Sequence, residues 1–309
     1  MKVLITTSSF GKYDKTPIEK LYSEGIEIVM NPFGRKLSEE EALRLYGEDI
    51  SGVVAGTEII SRRIISKASN LKVISRCGIG LDNVDLDAAR ERKIKIFNTP
   101  GAATDAVAEL TIGLIVGSLR NIVLADHCVR SGNWKKPMGY ALNGKTIGII
   151  GLGRIGKRLV ELMSGFDLVF LAYDKIQDKN FSEKFGVTYL NIKSLLEKSD
   201  VVSIHLPFTK ETKKLISKNE IGLMRPCSFL INTSRADIVD ENALFEALKE
   251  GRISGAALDV FENEPYNGPL IELGNLILTP HIGSYARESR VRMEVEAVEN
   301  LIKGLKKKE

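Results

Sequence analysis

The sequence predicts an α/β protein built from two doubly wound domains, each with a parallel sheet covered by helices. Short apolar runs alternate with amphipathic helical patterns along the whole chain, which is typical of parallel sheets with helices on both faces. The length of 309 residues suggests two domains. A composition of 43% hydrophobic and 27% charged residues is that of an ordinary globular protein.

The first alternating series predicts one parallel sheet. Its apolar runs indicate buried strands at residues 2–6, 27–31, 52–56, 72–76 and 95–98. Helical patterns at 16–23 and 85–92 lie between them. Pro100 and Gly101 then interrupt the chain, and one long helical pattern runs from residue 104 to about 130.

A turn at Asn143-Gly144 begins the second series. It predicts strands at residues 145–150, 167–174, 186–190, 201–206, 229–233, 254–259 and 276–279. One helical pattern remains, from 286 to about 306, and Lys306–Lys308 is expected to be its frayed end. This tail is too short for a domain, so we expect it to fold back onto the first one. The predicted domains are 1–98 with 284–309, and 99–283.

Composition and charge argue against several classes of protein. No apolar stretch reaches the ~18 residues of a membrane span. Because Met1–Ile5 runs into a polar cluster, no signal peptide is expected. A net charge of +4 without a concentrated basic face gives no reason to expect nucleic acid as a partner. Three widely spaced cysteines argue against disulfides or a zinc site, and favour a reducing cytoplasm without a bound metal.

A dinucleotide-binding turn follows the first strand of the second series. Residues 151–156 read G-x-G-x-x-G, between a predicted strand and a helical pattern. Gly151 allows the tight turn, Gly153 lets a pyrophosphate approach the backbone, and Gly156 lets helix and strand pack closely. The helix N-terminus offers free N–H groups to the phosphates.

An acidic residue strengthens this interpretation. Asp174 ends the next predicted strand, 18 residues beyond Gly156. A carboxylate there accepts hydrogen bonds from the adenosine ribose and repels a 2′-phosphate, which favours NAD over NADP. S-adenosylmethionine, another ligand of this fold, is the alternative.

Three residues at predicted strand ends suit oxidoreductase chemistry. Arg235 carries a permanent charge and can hold a carboxylate through two parallel hydrogen bonds. His281 can move a proton near neutral pH, and Glu264 can orient its imidazole and stabilise the charged form. These types fit hydride transfer between nicotinamide and a 2-oxo or 2-hydroxy acid. His205 also ends a strand at the ligand edge, whereas His127 is expected to be a surface residue.

Several motifs in order along the chain resemble the D-isomer-specific 2-hydroxyacid dehydrogenases. They include the glycine turn at 148–156, Arg76–Asp85, Ile231–Asp240, Ala257–Pro265 and Thr279–Gly283. The resemblance implies a flavodoxin-like substrate domain, a Rossmann NAD-binding domain, and a homodimer whose domains close on the substrate. It also implies catalysis by Arg235, Glu264 and His281.

The resemblance, together with the glycine turn, assigns further residues to ligands. Contacts to NAD are expected from Gly151, Gly153, Arg154, Ile155, Gly156, Asp174, His205, Leu206, Pro207, Thr233, Ser234, Asp259 and Ser284. Free N–H groups at Gly78, Ile79 and Gly80 are expected to cup a substrate carboxylate, with Arg76 beside them. Cys77 lies next to this turn, so its alkylation is expected to inhibit.

Within the family, the sequence looks closest to D-3-phosphoglycerate dehydrogenases, which implies a role in serine biosynthesis. One departure concerns the substrate phosphate: an arginine follows the third strand in that branch, and here the stretch contains Gly56 and Glu58. Arg76 and Lys136 are candidate substitutes. No C-terminal regulatory domain is expected. Glyoxylate or hydroxypyruvate reduction is the competing activity, and Glu264 argues against a formate dehydrogenase, which resembles Gln there.

A different class of function also fits these motifs. The family includes corepressors that bind NAD(H) and recruit partner proteins, and they keep the same three residues. The chain shows no disordered arm or large insertion for recruitment. An enzyme is therefore the preferred interpretation over a nucleotide sensor.

Overall fold

The computed structural model describes residues 1–306, and the expected frayed end beyond Lys306 lies outside the described residues. The chain divides into two compact units. One contains Met1–Ala103 and the chain from Ser284 onward, and the other contains Thr104–Gly283. The first unit is thus discontinuous in sequence, and its first segment ends at Ala103 rather than at residue 98.

The first unit contains a five-stranded parallel sheet. Its strands are β1 (Lys2–Ile5), β2 (Glu27–Met30), β3 (Ile50–Ala55), β4 (Val73–Arg76) and β5 (Lys95–Phe97). They are ordered β2-β1-β3-β4-β5, which is the flavodoxin-like order. The sequence predicts all five strands within two residues of these bounds. The prediction that residues 27–31 and 95–98 are buried is wrong, because β2 and β5 are the two edge strands and neither contains a fully buried residue.

Helices cover both faces of this sheet. They are α1 (Thr16–Ser23), α2 (Glu39–Leu45), α3 (Arg62–Lys67), α4 (Leu86–Glu91) and, from the far end of the chain, α12 (Arg287–Lys306). Helices α2, α3 and α4 pack on one face through a core that includes Ile64 and Ala89. Helix α12 packs on β3, β4, β5 and α1, with Met293, Val298 and Leu301 buried.

Polar contacts also fix α12 to the loop that follows β1. Glu294 accepts hydrogen bonds from the Gly11 N–H at 2.9 Å and from the Ser9 hydroxyl at 3.2 Å. Arg290 donates to the Ser9 hydroxyl at 2.7 Å. Burial raises the pKa of Glu294, although these hydrogen bonds and Arg290 oppose that shift. The last helix is therefore part of the core of the first unit.

The second unit contains a seven-stranded parallel sheet. Its strands are β6 (Thr146–Ile150), β7 (Val169–Tyr173), β8 (Val187–Tyr189), β9 (Val201–Ile204), β10 (Phe229–Asn232), β11 (Gly255–Leu258) and β12 (Leu276–Leu278). Their order is β12-β11-β10-β9-β6-β7-β8, so the chain reverses direction across the sheet between β6 and β9. A doubly wound sheet binds its ligand at that switch point.

Helices cover both faces of the second sheet as well. They are α5 (Thr104–Leu119), α6 (Ile122–Arg130), α7 (Arg154–Met163), α8 (Lys179–Phe185), α9 (Ile192–Lys198), α10 (Lys218–Leu223) and α11 (Glu241–Lys249). Alternate residues of each strand point to opposite faces, so Val201 packs with α5 and α7 while Val202 packs with α9 and α11.

The single helix predicted for 104–130 is wrong, because the structure has two helices there. Asn121 adopts a left-handed conformation with φ of 51°, and α5 and α6 meet at 64°. Asparagine tolerates this conformation better than most residues. Here its side-chain amide donates to the carbonyl of Met138, 17 positions further along the chain, at 2.9 Å. Within residues 1–306, no single helix is long and apolar enough to cross a membrane, and only this bent pair passes by combined length and composition.

Candidate active site

The residues that the sequence singles out in the second unit follow one edge of its sheet. Because all strands are parallel, their carboxyl ends lie side by side. Glu264 and Asp259 follow β11, and His281 and Arg235 follow the strands on either side, β12 and β10. The neighbouring strands continue the edge with His205, Gly151 and Asp174. Strands lie about 4.8 Å apart, so this edge forms one continuous row.

The glycine turn has the shape that a dinucleotide requires. Gly151 has φ of 99°, and a Cβ there would lie 2.8 Å from the His205 backbone. A Cβ on Gly156 would press on the Gly151 carbonyl, whereas Gly153 faces open space. Helix α7 begins at Arg154 without a side-chain cap, so its first N–H groups can meet an anion. These features fit the pyrophosphate of NAD, with Arg154 and Ile155 in the first turn.

Asp174 lies at the end of β7, next to this turn. Its carboxylate accepts hydrogen bonds from the Leu152 N–H at 2.8 Å and from the Ile176 N–H at 3.0 Å. These bonds hold the carboxylate at the rim of the turn. A carboxylate has about four acceptor positions, so it can still accept from ribose hydroxyls.

Substitution of Asp174 tests the predicted choice of cofactor. We expect Asp174→Ala to weaken NAD binding by about 1–3 kcal/mol, because ribose hydroxyls lose their acceptor. Fluorescence titration with NADH and NADPH measures both affinities. Asp178→Ala is the matched control, since Asp178 pairs with Lys157 at 2.5 Å and caps α8. Equal affinity of the unmodified protein for NADH and NADPH contradicts the prediction.

His205 is unsuited to donate a proton near neutral pH. Its Nε2 lies 2.8 Å from the Ser203 hydroxyl, and burial lowers the pKa of the imidazole to about 4. The ring is therefore neutral at physiological pH. Its backbone packs against Gly151, with Leu206 and Pro207 next along the chain.

Arg235 follows β10 in a turn that a buried asparagine holds. Asn232, the last residue of β10, accepts hydrogen bonds from the N–H and hydroxyl of Ser234. Its side-chain amide also donates to the Arg235 carbonyl at 2.9 Å. Thr233 is buried, and its hydroxyl oxygen lies 2.9 Å from the hydroxyl oxygen of Thr111 in α5. The sequence analysis missed Asn232, whose signal is a polar residue at the end of an apolar strand.

His281 and Glu264 form a contact that the sequence analysis predicts. The imidazole Nδ1 lies 3.0 Å from each carboxylate oxygen of Glu264. About half of the His281 side chain and a third of the Glu264 side chain are exposed. An Nδ1–H that donates to the carboxylate fixes the tautomer and leaves Nε2 available to a ligand. This pair can therefore exchange a proton with a bound substrate.

The glycine cup predicted in the first unit is smaller than expected. The N–H of Gly78 is not free, because it donates to the Thr99 hydroxyl at 2.9 Å. Within residues 1–306, the N–H groups of Ile79 and Gly80 have no such partner. The Arg76 guanidinium folds over the turn at Gly78 and donates to the Cys77 carbonyl, so this turn carries a positive charge.

Two further expectations concern this unit. Cys77 is buried, with 1% exposure, and burial raises the pKa of its thiol to about 11. Alkylation of Cys77 in the folded protein is therefore not expected, which corrects the sequence analysis. Ser284 is the first residue of the returning segment of this unit.

The stretch after β3 contains a buried acid. Glu58 is 1% exposed, and its Oε1 accepts hydrogen bonds from the Thr6 hydroxyl at 2.5 Å and the Tyr46 hydroxyl at 3.0 Å. A Cβ on Gly56 would lie 3.0 Å from Glu58 Oε2 and 3.3 Å from Thr7 Cα. A larger residue at position 56 therefore requires the loop to move.

Comparison with known proteins shows which sequences this chain resembles. The family description "D-isomer specific 2-hydroxyacid dehydrogenase, NAD binding domain" matches residues 112–283. A glyoxylate reductase of Thermococcus litoralis is 44% identical over 256 residues, which cover 80% of this chain and 77% of that protein. A D-3-phosphoglycerate dehydrogenase of Archaeoglobus fulgidus is 38% identical over 312 residues, covering 99% of this chain and 58% of its own length.

Solved structures agree along the whole chain. The TT0316 protein from Thermus thermophilus is 35% identical, with a TM-score of 0.89 over 99% of this chain and 97% of that one. A D-lactate dehydrogenase from Aquifex aeolicus, complexed with NAD and lactic acid, is 29% identical. Its TM-score is 0.85 over 98% of this chain and 95% of that one.

Proposed function

Since the chain belongs to the D-isomer-specific 2-hydroxyacid dehydrogenase family, we propose that it reduces a small 2-oxo acid with NADH at the row of Arg235, Glu264 and His281. The observation that carries the proposal is the contact between His281 and Glu264, beside the turn that contains Arg235. This arrangement offers a proton donor and a fixed positive charge at the ends of β12 and β10, the two strands that flank β11.

Each of the three side chains has a distinct task. The Arg235 guanidinium binds the substrate carboxylate and polarises the carbonyl through positive charge. His281 gives its Nε2 proton to the carbonyl oxygen, and Glu264 stabilises the charged imidazole before the transfer. NADH, held at the turn of Gly151–Gly156 and by Asp174, would supply the hydride for the carbonyl carbon. The carbonyl thus gains one hydride and one proton, and oxidation reverses both transfers with His281 as the base.

Glyoxylate and hydroxypyruvate are the proposed substrates. Glyoxylate reductases that are 44% and 45% identical to this chain support this class. The stretch after β3 also supports it, because Gly56 leaves no room for an arginine without a loop shift. Without an arginine at that position, the site has one cation fewer to hold a substrate phosphate.

D-3-phosphoglycerate, with 3-phosphohydroxypyruvate as its oxidised form, is the second candidate. The Arg76 guanidinium at Gly78, in the turn that also contains the N–H groups of Ile79 and Gly80, is the observation that favours it, because this combination suits an anion. Two D-3-phosphoglycerate dehydrogenases, 38% and 40% identical, support the same interpretation. This chain spans just over half of their lengths.

A substrate panel separates these functions. We expect NADH consumption with glyoxylate and hydroxypyruvate, and a much lower kcat/KM with 3-phosphohydroxypyruvate and pyruvate. A higher kcat/KM for 3-phosphohydroxypyruvate would reverse the order of the two candidates. Tight NADH binding without turnover of any of the four acids would favour the corepressor-like sensor instead.

The family resemblance and one exposed surface support a homodimer. Helix α6 and the segment after it expose several apolar side chains, namely Ile122, Val123, Val129, Trp134 and Met138. Exposed apolar surfaces of this kind are typical of protein–protein interfaces. A second copy of this chain is the proposed partner, and sedimentation equilibrium of the protein and of Val123→Asp tests it.

A cytoplasmic location is proposed from the free cysteines.

A further inference from the structure

His281 has a backbone conformation that is unfavourable for a histidine. Its φ is +55°, in the left-handed region that residues other than glycine rarely adopt. The His281 N–H donates to the Thr279 carbonyl at 2.9 Å, which closes a tight turn directly after β12. Conformations of this kind persist only where the surrounding structure holds them. The direction of the imidazole therefore depends on whatever holds this turn.

Asp259 contacts the turn on both sides of His281. Its Oδ1 accepts hydrogen bonds from the Thr279 hydroxyl at 2.7 Å and the Ile282 N–H at 2.8 Å. Its Oδ2 accepts from the Gly283 N–H at 2.7 Å. The carboxylate thus joins three donors from the residues that flank His281.

Asp259 is buried and closely packed. Asp259 is 1% exposed, and its N–H donates to the Asn232 carbonyl on the neighbouring strand. A Cβ on Gly283 would lie 3.1 Å from Asp259 Oδ2, so the turn packs closely on the carboxylate. Burial raises the pKa of Asp259, and its three hydrogen bonds oppose that shift. Hydrogen bonds to a buried carboxylate are about twice as strong as those between neutral groups.

We propose that Asp259 is a positioning residue that holds the turn at 279–283, so that the His281 imidazole faces Glu264. The sequence analysis assigns Asp259 only to the cofactor, whereas both of its oxygens here accept bonds from the turn. An asparagine cannot replace it, because its amide has one acceptor oxygen and an NH₂ group that only donates. That NH₂ group would face either the Gly283 N–H or the two donors on the other side. The kinetic part of this proposal rests on the proposed function.

The kinetic test compares Asp259→Asn with a matched control in the full chain. Asp240→Asn makes the same chemical change where a carboxylate accepts from the Asn242 and Ala243 N–H groups at the start of α11. We expect Asp259→Asn to lower kcat by on the order of 10²-fold, as for a small displacement of a reacting group. NADH affinity and the kcat of Asp240→Asn should stay near normal. A loss of NADH affinity alone would make Asp259 a cofactor ligand and overturn the proposal.

A spectroscopic test does not require activity. The chain has three histidines, so ¹⁵N-imidazole spectra should resolve His281, with His281→Gln as the assignment. We expect the hydrogen-bonded Nδ1 signature to be lost in Asp259→Asn and kept in Asp240→Asn. If Asp259→Asn does not fold, Thr279→Val takes its place, because it removes only one of the three donors to the Asp259 carboxylate. It should weaken the hydrogen-bonded Nδ1 signature without abolishing it. An unchanged His281 signature in both variants would overturn the positioning role, even if no 2-oxo acid proves to be a substrate.

Discussion

His281→Ala should lose turnover by on the order of 10²–10⁴-fold, the usual cost of removing a general acid or base. NADH affinity should remain near normal, because the phosphates and ribose are expected to contact Gly151–Gly156 and Asp174. Stopped-flow reduction of glyoxylate, alongside fluorescence titration with NADH, measures both quantities. Normal turnover would remove His281 from the mechanism. A joint loss of turnover and binding would instead indicate that His281 supports the structure.

Glu264→Gln completes this test, because it keeps the shape of the side chain and removes its charge. The imidazolium then loses the carboxylate that lies 3.0 Å from its Nδ1. Reduction requires the charged ring, so its rate in Glu264→Gln should fall sooner as pH rises than in the unmodified protein. Oxidation requires the neutral ring, so its rate should persist to lower pH. Identical pH profiles of Glu264→Gln and the unmodified protein would contradict the role of Glu264.

Removal of the last helix should abolish the stable fold of the first unit while the second unit remains folded. A chain that stops at Tyr285 exposes the sheet surface against which Met293, Val298 and Leu301 pack. It also leaves Ser9 and Gly11 without Glu294. Hydrogen exchange should therefore become rapid in β1, β3 and β4 and stay slow in β6 and β10. A truncated chain with the calorimetric profile of the full one would contradict this expectation.

A point variant tests the same packing without truncation. Leu301 is fully buried, so Leu301→Ala should lower the free energy of unfolding of the first unit by about 2–5 kcal/mol. Lys303 lies two residues further along α12 and is exposed, so Lys303→Ala should change it by less than about 0.5 kcal/mol. Similar losses in both variants would contradict the expectation that α12 stabilises the first unit through the buried packing of Leu301.

Both sheets follow directly from the sequence because their strands are short apolar runs, and the central strands are buried along their whole length. Val201–Ile204 and Phe229–Asn232, for example, are wholly buried runs that the polar residues after them terminate. The contact between His281 and Glu264 is also predictable, since parallel strands place their carboxyl ends at one edge. The glycine turn is predictable because its three glycines stand between a predicted strand and a helical pattern, and Asp174 ends the next strand.

The remainder depends on three-dimensional contacts that no local pattern records. The apolar periodicity continues through Asn121, so the sequence does not reveal that its backbone ends one helix and starts another. Glu58 looks like a solvated loop charge until Tyr46, from a separate helix end, is found to bond to it. The Gly78 N–H is committed to Thr99, which comes from the next strand end. Asp259 likewise shows its bonds to the turn of His281 only when β11 and β12 are adjacent.

The return of α12 to the first unit has a consequence for biosynthesis. Met1–Ala103 is synthesised long before Arg287, because the whole of Thr104–Gly283 is made in between. At about 5–20 residues per second, the early segment waits on the order of 10–40 s for its missing helix. Its open sheet face is available to chaperones throughout that interval. The second unit, although later in the chain, is therefore the first that can complete its core.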